Sequence, residues 1–221
     1  MTTIVETQIQ DGEQEWLESW KRGPTRVRWS MLPLQDGDLA PDLDLIDSTG
    51  RKVRLSRFWS GSPALLIFWR HFGCSCGLER AARLQKEYPN YVNAGAQVVV
   101  IGAGEPERSV AYAEKYGLPC PVLCDPSYTI YRAFDLLEGK PSQIMYNESE
   151  DLLRGEYEAG VKFSNACRES GLPAVDSPWQ LPGEFVVDRR GVVRLAYRYQ
   201  YCENFPNPLV LLAAIREALQ D

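Results

Sequence analysis

The sequence predicts an α/β fold in which helices flank a central mixed sheet. Two apolar runs, at 64–69 and 97–102, have the composition of strands that are buried on both faces. Helical spacing follows each run, and this alternation requires parallel strands joined by crossover helices. Closer to the C-terminus, the segments 184–188 and 192–199 flank a polar turn at 189–191, which predicts an antiparallel hairpin.

A polar lead-in precedes this pattern. Residues 1–36 form the predicted N-terminal extension, in which 13–21 has the spacing of a short helix with Trp16 and Trp20 on one face. Gly23 ends that helix.

The domain itself is predicted over 37–221. The alternation of strands and helices is interrupted at about 139–180, where polar residues at 148–170 have helical spacing. We interpret 139–180 as a helical insertion. The other predicted elements, in chain order, are hairpin strands at 43–46 and 52–55, helices at 78–92 and 105–116, a strand at 121–124, and helices at 128–136 and 208–219.

Composition limits the classes of partner. The chain has 221 residues and a net charge of −6, and an acidic field repels phosphate backbones, so no nucleic acid is expected. No apolar run approaches the roughly 18–20 residues of a membrane span, and the first residues lack the basic start of a signal peptide. We therefore expect a cytoplasmic protein whose six cysteines are catalytic, metal-binding or buried.

The most distinctive feature is the pair Cys74 and Cys76, which follows the first apolar run and opens a helix. A thiol there faces unpaired backbone N–H groups and the positive end of the helix dipole. Both favour the thiolate, which is the reactive form. Arg70 adds positive charge if its side chain turns toward the thiols, and Ser75 is a candidate helix cap. The alternative, two small buried residues, is disfavoured because both cysteines occur at one junction.

A family resemblance rests on four segments. FWRHFGCSCG resembles the FWAxWCxxC segment of thioredoxins, whereas PDLDLIDSTGRKVRLS, YGLPCPVLCDP and LPGEFVVDRRGVVRLAY are similar to the alkyl hydroperoxide reductase and thiol-specific antioxidant family, in particular its peroxiredoxin-like members. The resemblance covers roughly 37–137 and 181–220. It implies a thioredoxin-like fold and redox-active cysteines. It also implies that Pro182 matches the proline that thioredoxins hold in cis, where it would shield the thiols and present the Leu181 backbone to a substrate.

The chain departs from the thioredoxin pattern at the cysteines. Thioredoxins place two residues between them and this chain places one. Alignment on Phe68-Trp69 makes Cys76 the second thioredoxin cysteine, whereas alignment on Gly73-Cys74 makes Cys74 the first. We prefer the latter because it makes the helix-starting thiol the nucleophile. A Cys-x-Cys ring is tight, and a strained disulfide is more easily reduced, which suits an oxidant or an isomerase better than a strong reductant.

The residues that hold peroxide in peroxiredoxins are absent from their usual positions in this sequence. The family's motif is Pro-x-x-x-Thr-x-x-Cys, and neither its proline nor its threonine is present whether the motif is aligned on Cys74 or on Cys76. The family's arginine corresponds to Pro182. The positions where the motif requires threonine and proline are occupied by His71 and Ile67 when counted from Cys74, and by Gly73 and Trp69 when counted from Cys76.

Several other residues are candidates for chemistry. His71 precedes the pair as His-x-x-Cys-x-Cys, and imidazole with thiolates suits zinc or copper, although a lone histidine is more often a hydrogen-bonding neighbour or a base. Cys120 and Cys124 would lie about 13 Å apart on one strand, beyond disulfide reach, and are interpreted as buried. Cys167 is interpreted as incidental, and Cys202 as packing or a resolving thiol.

The principal hypothesis is a thiol-disulfide oxidoreductase of the peroxiredoxin-like type. Cys74 would attack and Cys76 would resolve. Arg70 and the helix start would lower the thiol pKa, with His71 as a further candidate for this role, and Pro182 would frame the substrate groove. The expected partner is a dithiol electron donor or a protein disulfide; no organic cofactor is expected, because a phosphate-binding glycine loop is missing from the sequence. The sequence leaves open whether the protein forms a homodimer. The alternatives are a thiol peroxidase and a metal-binding or metal-delivery module that uses His71 with both cysteines.

Overall fold

The computed structural model describes residues 3–72 and 74–220. The helices in these residues are α1 (Ile4–Arg22), α2 (Ser75–Asn93), α3 (Pro106–Tyr116), α4 (Thr129–Ala133), α5 (Pro141–Ile144), α6 (Glu150–Leu153), α7 (Tyr157–Glu169) and α8 (Pro208–Ala218). The strands are β1 (Asp44–Asp47), β2 (Lys52–Arg54), β3 (Ala64–Phe68), β4 (Gln97–Gly102), β5 (Val122–Cys124), β6 (Gly183–Val187) and β7 (Val193–Arg198).

Within the described residues the strands form one mixed sheet in the order β2-β1-β5-β4-β3-β6-β7. β4 pairs in parallel with β3 and with β5, as the strand–helix alternation predicts. The β1–β2 hairpin and the β6–β7 hairpin are antiparallel, and β6 is also antiparallel to β3. The predicted mixed sheet flanked by helices is therefore confirmed.

The register of the last strands determines what reaches the end of β3. Phe68, the last residue of β3, pairs with Gly183, and Gly183 pairs with Arg198, the last residue of β7. Since β3 and β7 are both antiparallel to β6, they run in the same direction and end at the same edge of the sheet. Residues that follow β3 and residues that follow β7 consequently emerge close together.

Alternate side chains of β3 belong to two different cores. Leu65 and Ile67 pack on the face covered by α2 and α8, with Leu84 and Ile215 among their partners. Phe68 packs on the opposite face, which α4 covers. Burial of both faces explains why β3 is a continuous apolar run with no period of two.

The N-terminal extension contains a longer helix than the sequence pattern predicts. α1 begins at Ile4, well before the predicted start at residue 13, and ends at the predicted Gly23. Thr3 and Glu6 form a capping box: the Thr3 hydroxyl accepts from the Glu6 N–H at 3.1 Å, and the Glu6 carboxylate accepts from the Thr3 N–H at 2.7 Å. Such a reciprocal cap satisfies two orphan donors, which fixes the helix start.

The segment 139–180 is broken into separate helices, so the single helix expected at 148–170 is wrong. α5 and α6 are each four residues long, and Gly155, at φ +73°, separates α6 from α7. α7 packs against α1 in a third core with stacked indoles, in which the ring centroids of Trp20 and Trp179 lie 5.0 Å apart. No helix among the described residues is both long and apolar enough to cross a membrane.

Candidate functional site

Cys74 and Cys76 lie at the start of α2, shortly after the end of β3. Their Cα atoms are 5.3 Å apart, and the sulfur atoms are at disulfide-bonding distance. Cys74 is the N-cap of α2 and its carbonyl accepts the first helical hydrogen bond, from the Gly77 N–H at 3.0 Å. The helix cap expected at Ser75 is therefore wrong, because Ser75 is already inside the helix. Gly73, on which the preferred sequence register rested, lies outside the described residues.

A cavity of about 560 Å³ opens beside Cys74, and we call it the large cavity. Cys74 is 9% exposed, whereas Cys76 is 4% exposed and does not line this cavity. The insertion forms the opposite wall, with Leu152, Phe163 and Cys167 among its lining residues. The first cysteine is thus the one that a ligand in the large cavity would meet.

Behind the pair lies a narrow inner crevice, which Cys76 lines. Its walls include Pro182, Tyr199, Cys202 and Phe205. Cys202 lines both the inner crevice and the large cavity. The two spaces therefore meet at the cysteines.

Arg70 supplies a buried positive charge between these spaces. The side chain is 7% exposed, and its Nη2 donates to the Pro178 carbonyl oxygen at 2.6 Å. Its Nε has no hydrogen-bond partner among the described residues. Burial lowers the pKa of Arg70, whereas the nearby Cys202 and Cys167 thiols raise it. The guanidinium therefore lies within electrostatic reach of the cavity thiols.

His71 is buried directly beside Arg70. Burial, together with the positive charges of Arg70 and Arg108, holds the pKa of its imidazole well below the usual 6.5. Burial therefore disfavours the charged imidazolium form, which is the form that would lower the pKa of a neighbouring thiol. Among the described residues, no group of three or more histidine, cysteine or acidic side chains is arranged to hold a metal ion.

Pro182 lies beside Cys76 but not in the expected backbone geometry. The described residues contain no cis peptide bond, so the cis bond expected before Pro182 is wrong. The chain enters β6 already paired: the Leu181 N–H donates to the Leu137 carbonyl at 3.0 Å, and the Leu181 carbonyl accepts from the Gln180 side chain at 2.9 Å. The Leu181 backbone is consequently occupied within the fold instead of being presented to a substrate.

Beneath the inner crevice lies a buried ionic network that sequence reasoning missed. Arg80 of α2 donates to both carboxylate oxygens of Glu184 on β6, at 2.8 and 3.1 Å, and the Tyr199 hydroxyl donates to the same carboxylate at 2.6 Å. Glu184 is fully buried. The bidentate pair fixes the first turns of α2 onto the sheet, and with them the position of Cys76.

The other cysteines divide into two groups. Cys202 packs against Cys74 and Cys76 in one cluster, and Cys167 faces the large cavity from α7. Cys120 and Cys124 are elsewhere: burial raises the pKa of Cys120 to about 12, and the Cys124 thiol donates to Ser109 at 3.2 Å. The expected burial is confirmed for Cys124, whereas Cys120 is half-buried.

Similarity to a known family covers most of the sheet and the cysteine pair. The AhpC/TSA family matches residues 37–196, which is more than half of the chain. The chain belongs to the AhpC/TSA family.

Relatives of this AhpC/TSA chain fall into more than one group. Peroxiredoxin Q, chloroplastic, of Populus jackii is 28% identical over 170 residues, which is 75% of this chain and 61% of that protein. Thiol-disulfide oxidoreductase ResA of Geobacillus kaustophilus is 33% identical over 102 residues, 45% of this chain and 57% of that protein. Thioredoxin-like protein AAED1, chloroplastic, of Arabidopsis thaliana is 28% identical over 46% of this chain and 41% of that protein. The chain spans less than two thirds of each of these relatives.

Solved structures agree on the thioredoxin-like fold. Peroxidoxin BcpB from Mycobacterium tuberculosis superposes with a TM-score of 0.59 at 18% identity, covering 83% of this chain and 97% of that one. A putative thiol:disulfide interchange protein DsbE from Chlorobium tepidum gives 0.53 at 21% identity, covering 82% and 99%. The predicted thioredoxin-like fold is therefore confirmed, and the relatives support a redox function of the thiols.

Proposed function

We propose that the chain is a thiol-disulfide oxidoreductase in which Cys74 attacks and Cys76 resolves. The observation that carries the proposal is the placement of the pair. The two Cα atoms are 5.3 Å apart at the start of α2, Cys74 faces the large cavity, and Cys76 faces the inner crevice behind it. An accessible thiol with a second thiol directly behind it is the arrangement that a two-step disulfide exchange requires.

The reaction follows from this order. The Cys74 thiolate attacks one sulfur of a substrate disulfide, forms a mixed disulfide and releases the other substrate sulfur as a thiolate. The Cys76 thiolate then attacks the Cys74 sulfur, releases the second substrate thiolate and closes the Cys74–Cys76 disulfide. A dithiol donor, for which the cytosol is the proposed source, reduces the pair by the same steps in reverse direction.

Two features would make Cys74 the better nucleophile. Its position at the helix N-terminus favours negative charge on the sulfur. Arg70 adds a positive charge that water screens little, because the guanidinium is only 7% exposed. Relatives that are thiol-disulfide oxidoreductases support this chemistry for the chain.

The test is reduction of insulin with dithiothreitol as electron donor. We expect Cys74→Ser to reduce insulin at the uncatalysed rate, and Cys76→Ser to accumulate a mixed disulfide on Cys74. Cys120→Ser is the matched control, because it removes a thiol outside the site and should leave the rate unchanged. Full activity of Cys74→Ser would contradict the proposal.

A thiol peroxidase is the second candidate, favoured by peroxiredoxin Q relatives that align over 75–80% of the chain. Against it, the position of the missing proline is filled by a buried apolar side chain in either register: Ile67 is 1% exposed, and Trp69 is 2% exposed with its indole N–H donating to Tyr112 at 3.3 Å. Peroxide consumption that depends on Cys74 and exceeds insulin reduction would establish the peroxidase instead.

A further inference from the structure

Three cysteines are grouped at the site, not two. Cys202, Cys74 and Cys76 form one buried cluster, and these residues are 5%, 9% and 4% exposed, respectively. The reaction proposed above uses the first pair and leaves the third thiol without a role. Cys167 also lines the large cavity, but it is not a member of this cluster.

The sheet brings Cys202 to the pair over a long stretch of chain. Cys202 follows β7 by four residues, and β7 ends in register with the end of β3, one strand away across β6. The turn after β7 therefore reaches the same edge of the sheet as the start of α2. This placement is a property of the fold and does not depend on local sequence.

The insertion then fixes the direction of the third thiol. The Cys202 N–H donates to the Gln143 carbonyl at 3.1 Å, and its Sγ donates to the Ile144 carbonyl at 3.2 Å. Both acceptors lie in α5, at the start of the insertion. Two hydrogen bonds to one short helix hold the side chain where it borders both the large cavity and the inner crevice.

Arg70 also acts on this thiol. Burial raises the pKa of Cys202, whereas the positive charge of Arg70 lowers it. The guanidinium partly offsets the cost of forming a thiolate in a buried position. Cys202 has, in addition, contact with the solvent of the large cavity, to which its proton can leave.

We infer that Cys202 is a third redox thiol, which exchanges with the Cys74–Cys76 disulfide and returns Cys74 to the free thiolate. The inference rests on the proposed function in one respect, since that bond must first form. The Cys202 thiol gives its proton to solvent, and its thiolate attacks the Cys76 sulfur. A Cys76–Cys202 bond forms, the Cys74–Cys76 bond breaks, and the electron pair leaves on Cys74. The protein neither gains nor loses electrons in this step.

Attack at Cys76 has a definite physical reason. The better leaving group in thiol-disulfide exchange is the more stable thiolate. Cys74 is the N-cap of α2 and lines the large cavity, whereas Cys76 is more deeply buried. Negative charge is therefore better accommodated on Cys74 than on Cys76.

The exchange gives the oxidised protein a second activity, isomerisation of substrate disulfides. A free Cys74 thiolate attacks a disulfide of a bound protein and releases one of its sulfurs as a thiolate. A different thiolate of the same substrate attacks the mixed disulfide, forms a new substrate disulfide and releases Cys74. Electrons balance without an external donor, because the Cys76–Cys202 bond remains closed throughout.

Peptide mapping tests the inference directly. Trypsin cleaves after Arg70 and Arg80, so Cys74 and Cys76 stay on one peptide, while Cys202 is on the peptide 199–216. After reduced protein is oxidised with one equivalent of diamide and quenched with N-ethylmaleimide, we expect two products. One is 71–80 with an internal disulfide, and the other is 71–80 joined to 199–216 with the label on Cys74.

Variants sharpen the result. In Cys74→Ser the joined peptide should be the main oxidised product, because only Cys76 and Cys202 of the cluster remain. In Cys202→Ser, which retains a donor to Ile144, labelling of Cys74 in the oxidised protein should fall at least about tenfold, and reactivation of a scrambled disulfide protein should be lost. Insulin reduction should persist in Cys202→Ser, and Cys120→Ser, which removes a thiol that lines neither the large cavity nor the inner crevice, should match the wild type in every assay.

The outcomes separate this inference from the proposed function. The role of Cys202 is overturned if the wild type gives only the internal 71–80 disulfide and Cys74→Ser gives no joined peptide. Insulin reduction by the wild type would continue in that case. Absence of both disulfide products, together with loss of insulin reduction, overturns both.

Discussion

The guanidinium of Arg70 donates a hydrogen bond from Nη2 to the Pro178 carbonyl oxygen at 2.6 Å. Arg70 follows β3 directly before the cysteine pair, whereas Pro178 lies at the end of the insertion. One contact therefore ties the insertion to the site and holds a positive charge at the large cavity. A buried cation is costly unless negative charge approaches it, and a cysteine thiolate is such a charge.

Replacement of Arg70 should weaken the reactivity of Cys74. In reduced Arg70→Met, we expect the pH profile of Cys74 alkylation to move to higher pH, and the rate at pH 7 to fall by roughly tenfold, the equivalent of 1.4 kcal/mol. Arg70→Lys should recover part of the rate because it retains the charge. Arg83→Met, on the exposed side of α2, serves as the control and should leave the profile unchanged. An unaltered profile in Arg70→Met would remove Arg70 from the mechanism.

Loss of the buried Glu184 carboxylate should lower the free energy of unfolding far more than loss of the exposed Glu79 carboxylate on α2. Glu184→Gln removes the bidentate carboxylate of the buried Arg80 guanidinium and leaves it only the single contact with Glu87 at 2.9 Å, so we expect the free energy of unfolding to fall by about 3 kcal/mol. Glu79→Gln removes the exposed pair with Arg83, whose side chains are 46% and 47% exposed, and should cost less than about 1 kcal/mol. Urea denaturation measures both. Equal losses would mean that the Glu87 carboxylate alone is enough to stabilise the buried Arg80 charge.

The cysteine pair could be predicted from sequence because its signal is local. An apolar strand, two cysteines and a helix follow one another within a short stretch of chain. The capping box that begins α1 was also available, because Thr3 and Glu6 have the required spacing, so the longer helix was within reach of the sequence.

The third thiol could not be predicted in the same way. Cys202 reaches the pair only because β6 pairs with β3 and the register aligns Phe68, Gly183 and Arg198. Strand order and register depend on the packing of the whole sheet, and no local pattern encodes them. The pairing of Arg80 with Glu184, across a helix and a strand far apart in sequence, was hidden for the same reason.

Asp188 should make stability depend on pH in acid. Although burial raises the pKa of its carboxyl, hydrogen bonds from the Val192 N–H and from Arg194 lower it below the usual 3.8. A carboxyl whose pKa is lower in the folded state stabilises the fold above its unfolded pKa, and this stabilisation is lost as pH falls through the folded value. Asp188→Asn should therefore reduce the free energy of unfolding by about 1–3 kcal/mol at pH 7.

The difference between Asp188→Asn and the wild type should shrink below about pH 4. Asp44→Asn, on β1, is the matched control, because the Asp44 side chain is 53% exposed and its carboxylate lies 3.6 Å from Arg54. It should change stability little at either pH. A difference for Asp188→Asn that is constant from neutral to acid pH would contradict the assignment.

Gly160 should control how the insertion packs on the N-terminal helix. A Cβ at Gly160 would lie 2.5 Å from Cδ1 of Trp20, which is fully buried and stacked on Trp179. The Trp20 indole N–H also donates to the Glu156 carbonyl at 2.8 Å, so the ring has little freedom to move aside. In Gly160→Ala, α7 must therefore shift away from α1, and overpacking of this kind costs about 1–3 kcal/mol.

Limited proteolysis should cut 139–180 faster in the variant than in the wild type. Gly61→Ala, where a Cβ meets no atom within 4 Å, should behave as the wild type. Because α7 carries Cys167 and Phe163 to the wall of the large cavity, the same variant should raise the KM for insulin while leaving Cys74–Cys76 disulfide formation intact. Equal proteolysis rates in Gly160→Ala and Gly61→Ala would mean that α7 can move without disturbing the fold.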